Sequence, residues 1–241
     1  MAPKTVLITG ANRGIGYGLT KSFLELEGVE IVVATCRNPD QAEDLKNLKS
    51  QKLHIVQLEV TDDESVKKAV TEVEKIVGDK GLNLLINNAG IFVPYNTNQE
   101  TPVRADLSKQ WDTNISSVIV VTQYFLHLVK KAPSDRKIIN ISSGVATIAT
   151  NDMGSGKFGM LAYRVSKTAV NQITKTFAID LAGDEILTAG FCPGWVQTNM
   201  GGPNALLTLD ESMADLVPSI LKVGKEQNGG YFNRKLEVIP F

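Results

Sequence analysis

Short apolar runs and longer amphipathic stretches alternate along the whole chain. The runs Thr5–Thr9, Glu30–Thr35, Leu53–Leu58, Leu82–Ile86, Lys137–Ile141 and Ile186–Phe191 are rich in Val and Ile, and a last one lies near Tyr231–Asn233. They read as strands. Between them apolar residues recur at helical spacing over Gly14–Glu27, Gln41–Leu48, Asp63–Val77, Asp106–Lys131, Tyr163–Leu181 and Asp210–Val223. Pro39-Asp40 and Thr61-Asp62-Asp63-Glu64 mark helix starts, by proline in a first turn and by acidic caps. Strands that are apolar throughout are buried on both faces, which requires helices on both sides of a parallel sheet. The pattern therefore predicts an α/β fold: a Rossmann-type doubly wound parallel sheet of about seven strands with helices on both faces. No repeat, low-complexity tract or linker interrupts it, so residues 1–241 read as a single domain.

Composition narrows the function classes. Hydrophobic residues make up 43% and charged residues 21%, as in ordinary soluble proteins. A net charge of −1 leaves no electrostatic footprint for nucleic acid or an anionic membrane. No apolar run approaches a transmembrane span, and Thr5–Thr9 begins too early to leave room for a signal peptide, so the expected compartment is the cytosol. Cys36 and Cys192 each end a strand run, and several strands at about 4.8 Å each would separate them. That exceeds the roughly 7 Å limit for a disulfide, and both read as reduced, packed thiols. His54 and His127 have no ligand partners nearby, so no metal site is expected.

Directly after the first run comes Thr9-Gly10-Ala11-Asn12-Arg13-Gly14-Ile15-Gly16, opening a helix. Glycines here allow a tight turn off the strand, close approach of backbone to a pyrophosphate, and close helix–strand packing. The helix N-terminus offers free N–H groups and a positive dipole end to phosphate. The alternative is a tight turn with no ligand, but the strand–turn–helix setting favours a dinucleotide. The second run ends Ala34-Thr35-Cys36-Arg37-Asn38, without the acid that would bind a ribose 2′-hydroxyl. Arg37 and Arg13 could instead embrace a 2′-phosphate, which points to NADP(H) rather than two solvated surface arginines.

Tyr163 and Lys167 lie four apart at the start of a helix, on one face, behind the strand end Ser142-Ser143. A neighbouring cation favours phenolate, so the expectation is a lowered Tyr163 pKa and proton transfer nearer neutral pH. Spacing alone does not select this pair, because Tyr17/Lys21 and Tyr231/Lys235 share it. Only the pair at 163 and 167 has a strand-end serine pair before it.

In order along the chain stand Thr9-Gly-x-x-x-Gly-x-Gly16, Asn87-Asn88-Ala89-Gly90, Asn114, Ser143, Tyr163-x-x-x-Lys167 and Pro193-Gly194. Together they resemble the compact branch of the short-chain dehydrogenase/reductase family over essentially the whole chain. Pro193–Gly202 and the tail Gly224–Gly230 are similar to its carbonyl-reducing members. The resemblance implies roles. Ser143 would orient and polarise a substrate carbonyl, and Tyr163 would donate or accept the proton. Lys167 would lower the tyrosine pKa and bind the nicotinamide ribose. Asn114 would hold a water relaying protons, where its own alternative is a bond to neighbouring backbone. Asn88, Ala89 and Gly90 would flank the adenosine side of the groove, and Pro193, Gly194, Val196 and Thr198 the carboxamide and phosphates. Of the two serines the family pattern selects Ser143, leaving Ser142 a structural role.

The chain departs from that pattern in three places. Ser143 precedes Tyr163 by twenty residues, and the extra segment Asn151–Met160 is glycine-rich, a loop near the site mouth. The usual Asp after the third strand is replaced by Glu59 followed by Val60, and Glu59 could still meet the adenine amino group. The segment after Thr198 is short, so any lid is small.

The expected reaction is reduction of an aldehyde, ketone or quinone by NADPH. Phe92, Val93, Tyr95, Trp195 and Met200 are candidates for an apolar substrate wall. Two alternatives use the same residues: oxidation of a secondary alcohol such as a steroid, and NADPH sensing without turnover. Relatives pair through the helices at Asp106–Lys131 and Tyr163–Leu181, which makes a homodimer the expected assembly.

Overall fold

Successive strand residues point to opposite sides of a sheet, so a strand apolar at every position must be covered twice. A computed structural model, describing residues 2–241, shows this arrangement. The strands are β1 (Thr5–Ile8), β2 (Ile31–Cys36), β3 (Leu53–Gln57), β4 (Leu84–Asn87), β5 (Arg136–Ile141), β6 (Ile186–Cys192) and β7 (Tyr231–Asn233). They form one seven-stranded sheet in the order β3-β2-β1-β4-β5-β6-β7, every pairing parallel. The helices are α1 (Gly14–Glu25), α2 (Glu43–Lys46), α3 (Asp63–Val77), α4 (Arg104–Trp111), α5 (Ser117–Lys131), α6 (Leu161–Asp180) and α7 (Leu209–Leu221). This is the predicted doubly wound α/β fold.

Two cores follow from strand alternation. Val6 and Ile8 of β1 and Val32 and Ala34 of β2 face Leu19 and Phe23 of α1 and Leu216 and Ile220 of α7. Leu7, Val33, Leu85 and Ile138 face the other way, onto Val66 and Val73 of α3 and Phe125 and Leu128 of α5. A third layer of contact is polar: Asn87 Nδ2 donates to Thr122 Oγ1 and Asn140 Oδ1, both at 2.9 Å, and Asn140 donates to Thr174 Oγ1 at 2.8 Å. Satisfied buried networks of this kind fix register. Here they align the C-terminal ends of β4 and β5, where the site lies. Cys36 and Cys192 are both free and buried, with β1, β4 and β5 between their strands.

Several element boundaries differ from the sequence pattern, most by one or two residues. The single helix expected over Asp106–Lys131 is two, α4 and α5, joined by one π-helical turn at Asp112–Ser116. The expected Gln41–Leu48 helix is a 3-10 turn at Pro39–Gln41 followed by the one-turn α2. The Tyr163 helix starts two residues earlier and ends at Asp180. By contrast α3 has the expected bounds, because Asp62 caps it through the amides of Glu64 and Ser65. Among the described residues no helix is long and apolar enough to cross a membrane.

Candidate active site

The glycine turn is stitched to the end of β4. Asn88 Nδ2 donates to the carbonyls of Thr9 (2.7 Å) and Gly10 (3.1 Å), and Thr9 Oγ1 accepts from the amides of Asn88 (2.9 Å) and Ala89 (3.0 Å). Gly10 has φ +64°, and a Cβ there would stand 3.0 Å from Ala89 Cα. At Gly16 a Cβ would lie 2.3 Å from the Gly10 carbonyl oxygen and 2.6 Å from Asn88 Nδ2. No side chain can enter either position without moving the turn. The N-terminus of α1 has no side-chain cap and no acid in its first turn, whereas α3 is capped by Asp62 and α7 by a Thr208–Glu211 box. Orphan amides at a helix start need partners, and here they are left for an anion. Asn12, Arg13, Gly14 and Ile15 line the cleft beside them, and Thr198 packs against Gly14.

Farther along the cleft Arg13 and Arg37 are exposed and line its wall. Arg37 Nε lies 3.7 Å from Glu59 Oε2. The other Glu59 oxygen accepts from the Thr61 amide (3.3 Å) and hydroxyl (3.0 Å), so an adenine amino group would share a carboxylate already engaged. Val60, buried, and Asn88, Ala89 and Gly90 complete this end.

At the other end β5 delivers two serines with different surroundings. Ser142 is buried and donates to Asn171 Oδ1 (2.7 Å) and the Lys167 carbonyl (3.3 Å), which is a structural tie to α6. Ser143 opens the 3-10 turn Gly144–Ala146 and lines the cleft with Tyr163 and Lys167. Lys167 is 5% exposed, donates to the Ile141 carbonyl at 2.8 Å, and sits 5.9 Å from the Tyr163 ring centroid. Burial lowers its pKa to about 8. Tyr163 as a residue is half-buried, yet desolvation of the phenol pushes its pKa up to about 12, with the neighbouring Ser143 hydroxyl drawing it partly back. The expected lowering by Lys167 is therefore corrected for this chain. The ammonium is bonded to main chain and lies over the ring instead of on the hydroxyl, and desolvation outweighs what remains of its field.

The π-helical turn places Asn114. Its Oδ1 accepts from the Ile91 amide (2.8 Å), and its Nδ2 donates to the Ile91 carbonyl (2.9 Å) and Ser166 Oγ (3.0 Å). The side chain thus holds the segment after β4, the local alternative the sequence left open. Gln110, one helical turn earlier and fully buried, accepts from the Val93 amide at 2.6 Å. Between these two anchors Phe92 meets the Tyr163 ring edge-on, at 5.5 Å and 84°. Lys167 Nζ and Asn114 Oδ1 both come up to Gly90, where a Cβ would be 3.5 and 3.4 Å away.

The family model for short chain dehydrogenase matches residues 4–205. The chain is a short-chain dehydrogenase. It is 41% identical to the Sniffer protein of Caenorhabditis elegans, whose crystal structure superposes with a TM-score of 0.92 over 100% of both chains. It is 36% identical to the NADPH-bound carbonyl reductase from chicken fatty liver, with a TM-score of 0.93 over 100% of both chains. A curated relative, the short-chain dehydrogenase anuI of Penicillium roqueforti, is 31% identical over 88% of this chain and 86% of its own.

The cleft of this short-chain dehydrogenase measures about 2080 Å³ and runs from Arg37 to the insertion before Tyr163. Pro193, Gly194 and Val196 line its floor, and Trp195, 45% exposed, is held by Nε1 donating to the Gly201 carbonyl at 2.8 Å. Of the expected apolar wall, Phe92, Trp195 and Met200 face the cleft, while Val93 and Tyr95 do not line it. Tyr95 is buried, and its amide donates to the Gly159 carbonyl at 2.7 Å. That bond docks the insertion, which brings Met153, Lys157, Phe158 and Met160 to the cleft. Sequence reasoning placed this loop at the mouth without naming those side chains. It read Cys192, which lines the cleft, only as a packed thiol, and it did not single out Gln110. Nothing in their local pattern distinguishes them from packing residues.

Proposed function

We propose that this short-chain dehydrogenase is an NADPH-dependent carbonyl reductase acting on aldehydes, ketones or quinones with an apolar body. The observation that carries the reading is Tyr163 beside Ser143 in the cleft, two hydroxyl groups placed to meet one carbonyl oxygen. The residues present fit the dinucleotide: an uncapped helix N-terminus for the pyrophosphate, and two exposed arginines for a 2′-phosphate. Lys167 would hold the nicotinamide ribose hydroxyls, with Val196 and Thr198 on the carboxamide and phosphates. NADPH, when bound, supplies the hydride. The chain's own residues do the rest.

In this reading Ser143 and Tyr163 hydrogen-bond the carbonyl oxygen of the substrate, stabilising the negative charge that develops there. Tyr163 then passes its proton to that oxygen. Phe92 fixes the phenol ring from the side, and Asn114 and Gln110 fix Phe92 through the backbone on either side of it. Met153, Phe158, Trp195 and Met200 line the cleft with apolar surface on which the body of a substrate could pack. Asn114 serves as a positioning residue.

The test follows NADPH consumption with quinones, aromatic aldehydes and steroids, with NADH in parallel. The expected result is turnover by the wild type and a loss of about a thousandfold in kcat for Tyr163→Phe, NADPH affinity being retained. Near-normal turnover by Tyr163→Phe would refute the proton-donor role. NADPH binding with no consumption across the panel would put a non-catalytic sensor in place of the enzyme.

A further inference from the structure

The backbone of Ser143, and not only its hydroxyl, is held in place. The Ser143 carbonyl oxygen accepts two hydrogen bonds, from the Ala146 amide at 2.9 Å and from the hydroxyl of Tyr231. Tyr231 stands on β7, 1% exposed, in a small cluster with Ala146, Cys192 and Ile239, and the Phe241 ring lies 6.1 Å from its own. A phenol so enclosed must find a partner inside the protein. Its partner is the main chain of the residue that, in the reading above, holds the substrate oxygen.

The surroundings make this bond directional. With both acceptor sites of the Ser143 carbonyl taken, its peptide plane has little freedom to rotate. The residue before it is tied to β6 by the Ser142 amide donating to the Phe191 carbonyl at 2.7 Å. The residues after it are tied to α6, where Arg164 Nη1 donates to the Val145 carbonyl (3.1 Å) and Thr168 Oγ1 to the Ala146 carbonyl (2.7 Å). Tyr231 supplies the fixed point at Ser143 itself. The shared spacing of Tyr231 and Lys235 has no acid–base meaning here, because Tyr231 lies in a strand and the Lys235 amide is bonded to Asn233 Oδ1.

We propose that Tyr231 is a positioning residue: by holding the Ser143 carbonyl from β7, its hydroxyl aims the Ser143 side chain at the Tyr163 phenol. The proposal rests on the carbonyl-reductase reading for its catalytic consequence. Tyr231→Phe removes one oxygen and keeps the ring that fills the cluster, so it separates this role from packing.

The experiment compares wild type, Tyr231→Phe, Ser143→Ala and the double variant, with NADPH and a quinone. Tyr231→Phe is expected to lower kcat about tenfold, to leave the KM for NADPH within about twofold, and to have no further effect once Ser143 is Ala. An equal drop in both backgrounds, or no drop, overturns the proposal. Hydrogen exchange on residues 142–147, without substrate, gives a readout independent of turnover. Tyr231→Phe should speed exchange at Ala146 about fivefold or more while residues 10–16 keep their rates. Uniform acceleration, or none, counts against the link. If the wild type consumes no NADPH, the carbonyl-reductase reading falls, and the exchange result still decides whether Tyr231 holds Ser143.

Discussion

Lys167 should leave a signature in the pH dependence of stability. Its ammonium is 5% exposed, bonded to one main-chain carbonyl, and faces no carboxylate within ion-pair distance among the described residues. Burial takes its pKa from the ordinary 10.5 to about 8. The folded state therefore binds fewer protons than the unfolded chain between those values, so stability rises with pH across that window. Below about pH 8 both states are charged and the full penalty applies, about 3 kcal/mol. By pH 9.5 the unfolded chain has begun to lose its proton too, and roughly 2 kcal/mol of that penalty should have been relieved. Replacing Lys167 with Met keeps much of the volume and removes the charge. Urea unfolding of wild type and Lys167→Met at pH 7 and pH 9.5 isolates the effect, since every other titrating group is common to both and cancels in the difference. Wild type should gain about 2 kcal/mol on the variant over that range. A difference that stays constant, or moves the other way, would refute the claim that desolvation governs this lysine.

Other substitutions address the remaining parts of the cleft. Arg13→Ala and Arg37→Ala should each raise the KM for NADPH about tenfold and leave that for NADH nearly unchanged, since only a 2′-phosphate would distinguish the two. Steady-state kinetics with both nucleotides checks this. Gly16→Ala forces a methyl to 2.3 Å from the Gly10 carbonyl oxygen and against Asn88 Nδ2, so it should cost about 1–3 kcal/mol in urea unfolding and weaken NADPH binding in titrations. Gln110→Ala leaves the Val93 amide without its partner and should cost about 1–3 kcal/mol of stability, measured by urea unfolding. It should also raise the substrate KM, because Phe92 loses one of its two anchors.

Much of the architecture was open to sequence reading because its signals are local. Val6-Leu7-Ile8 is apolar on both faces whatever its neighbours are, which already requires a covered, parallel sheet. Asp62 and the amides it caps lie within three residues, so the start of α3 was legible from composition. The glycine turn and the Ser143, Tyr163 and Lys167 set were also visible as motifs, and the fold brings them to one cleft. Asn114 does not line that cleft but anchors its wall. Its π-helical turn is silent in the sequence, since an inserted residue within a helix changes no residue type.

What only the tertiary structure decided concerns direction and environment. The Tyr163 pKa is one case: spacing shows a nearby cation, but its sign of effect depends on where the ammonium points and how much water the phenol keeps. The bond from Tyr231 to Ser143 spans 88 residues, and that from Asn88 to Thr9 spans 79. Such pairs are set by the sheet order that stacks β7, β6 and β5, and β1 beside β4, not by anything adjacent in the chain. Periodicity determines which face of an element is buried. Which atoms then meet across buried faces depends on how those elements stack in three dimensions, and the chemistry of this cleft depends on those meetings.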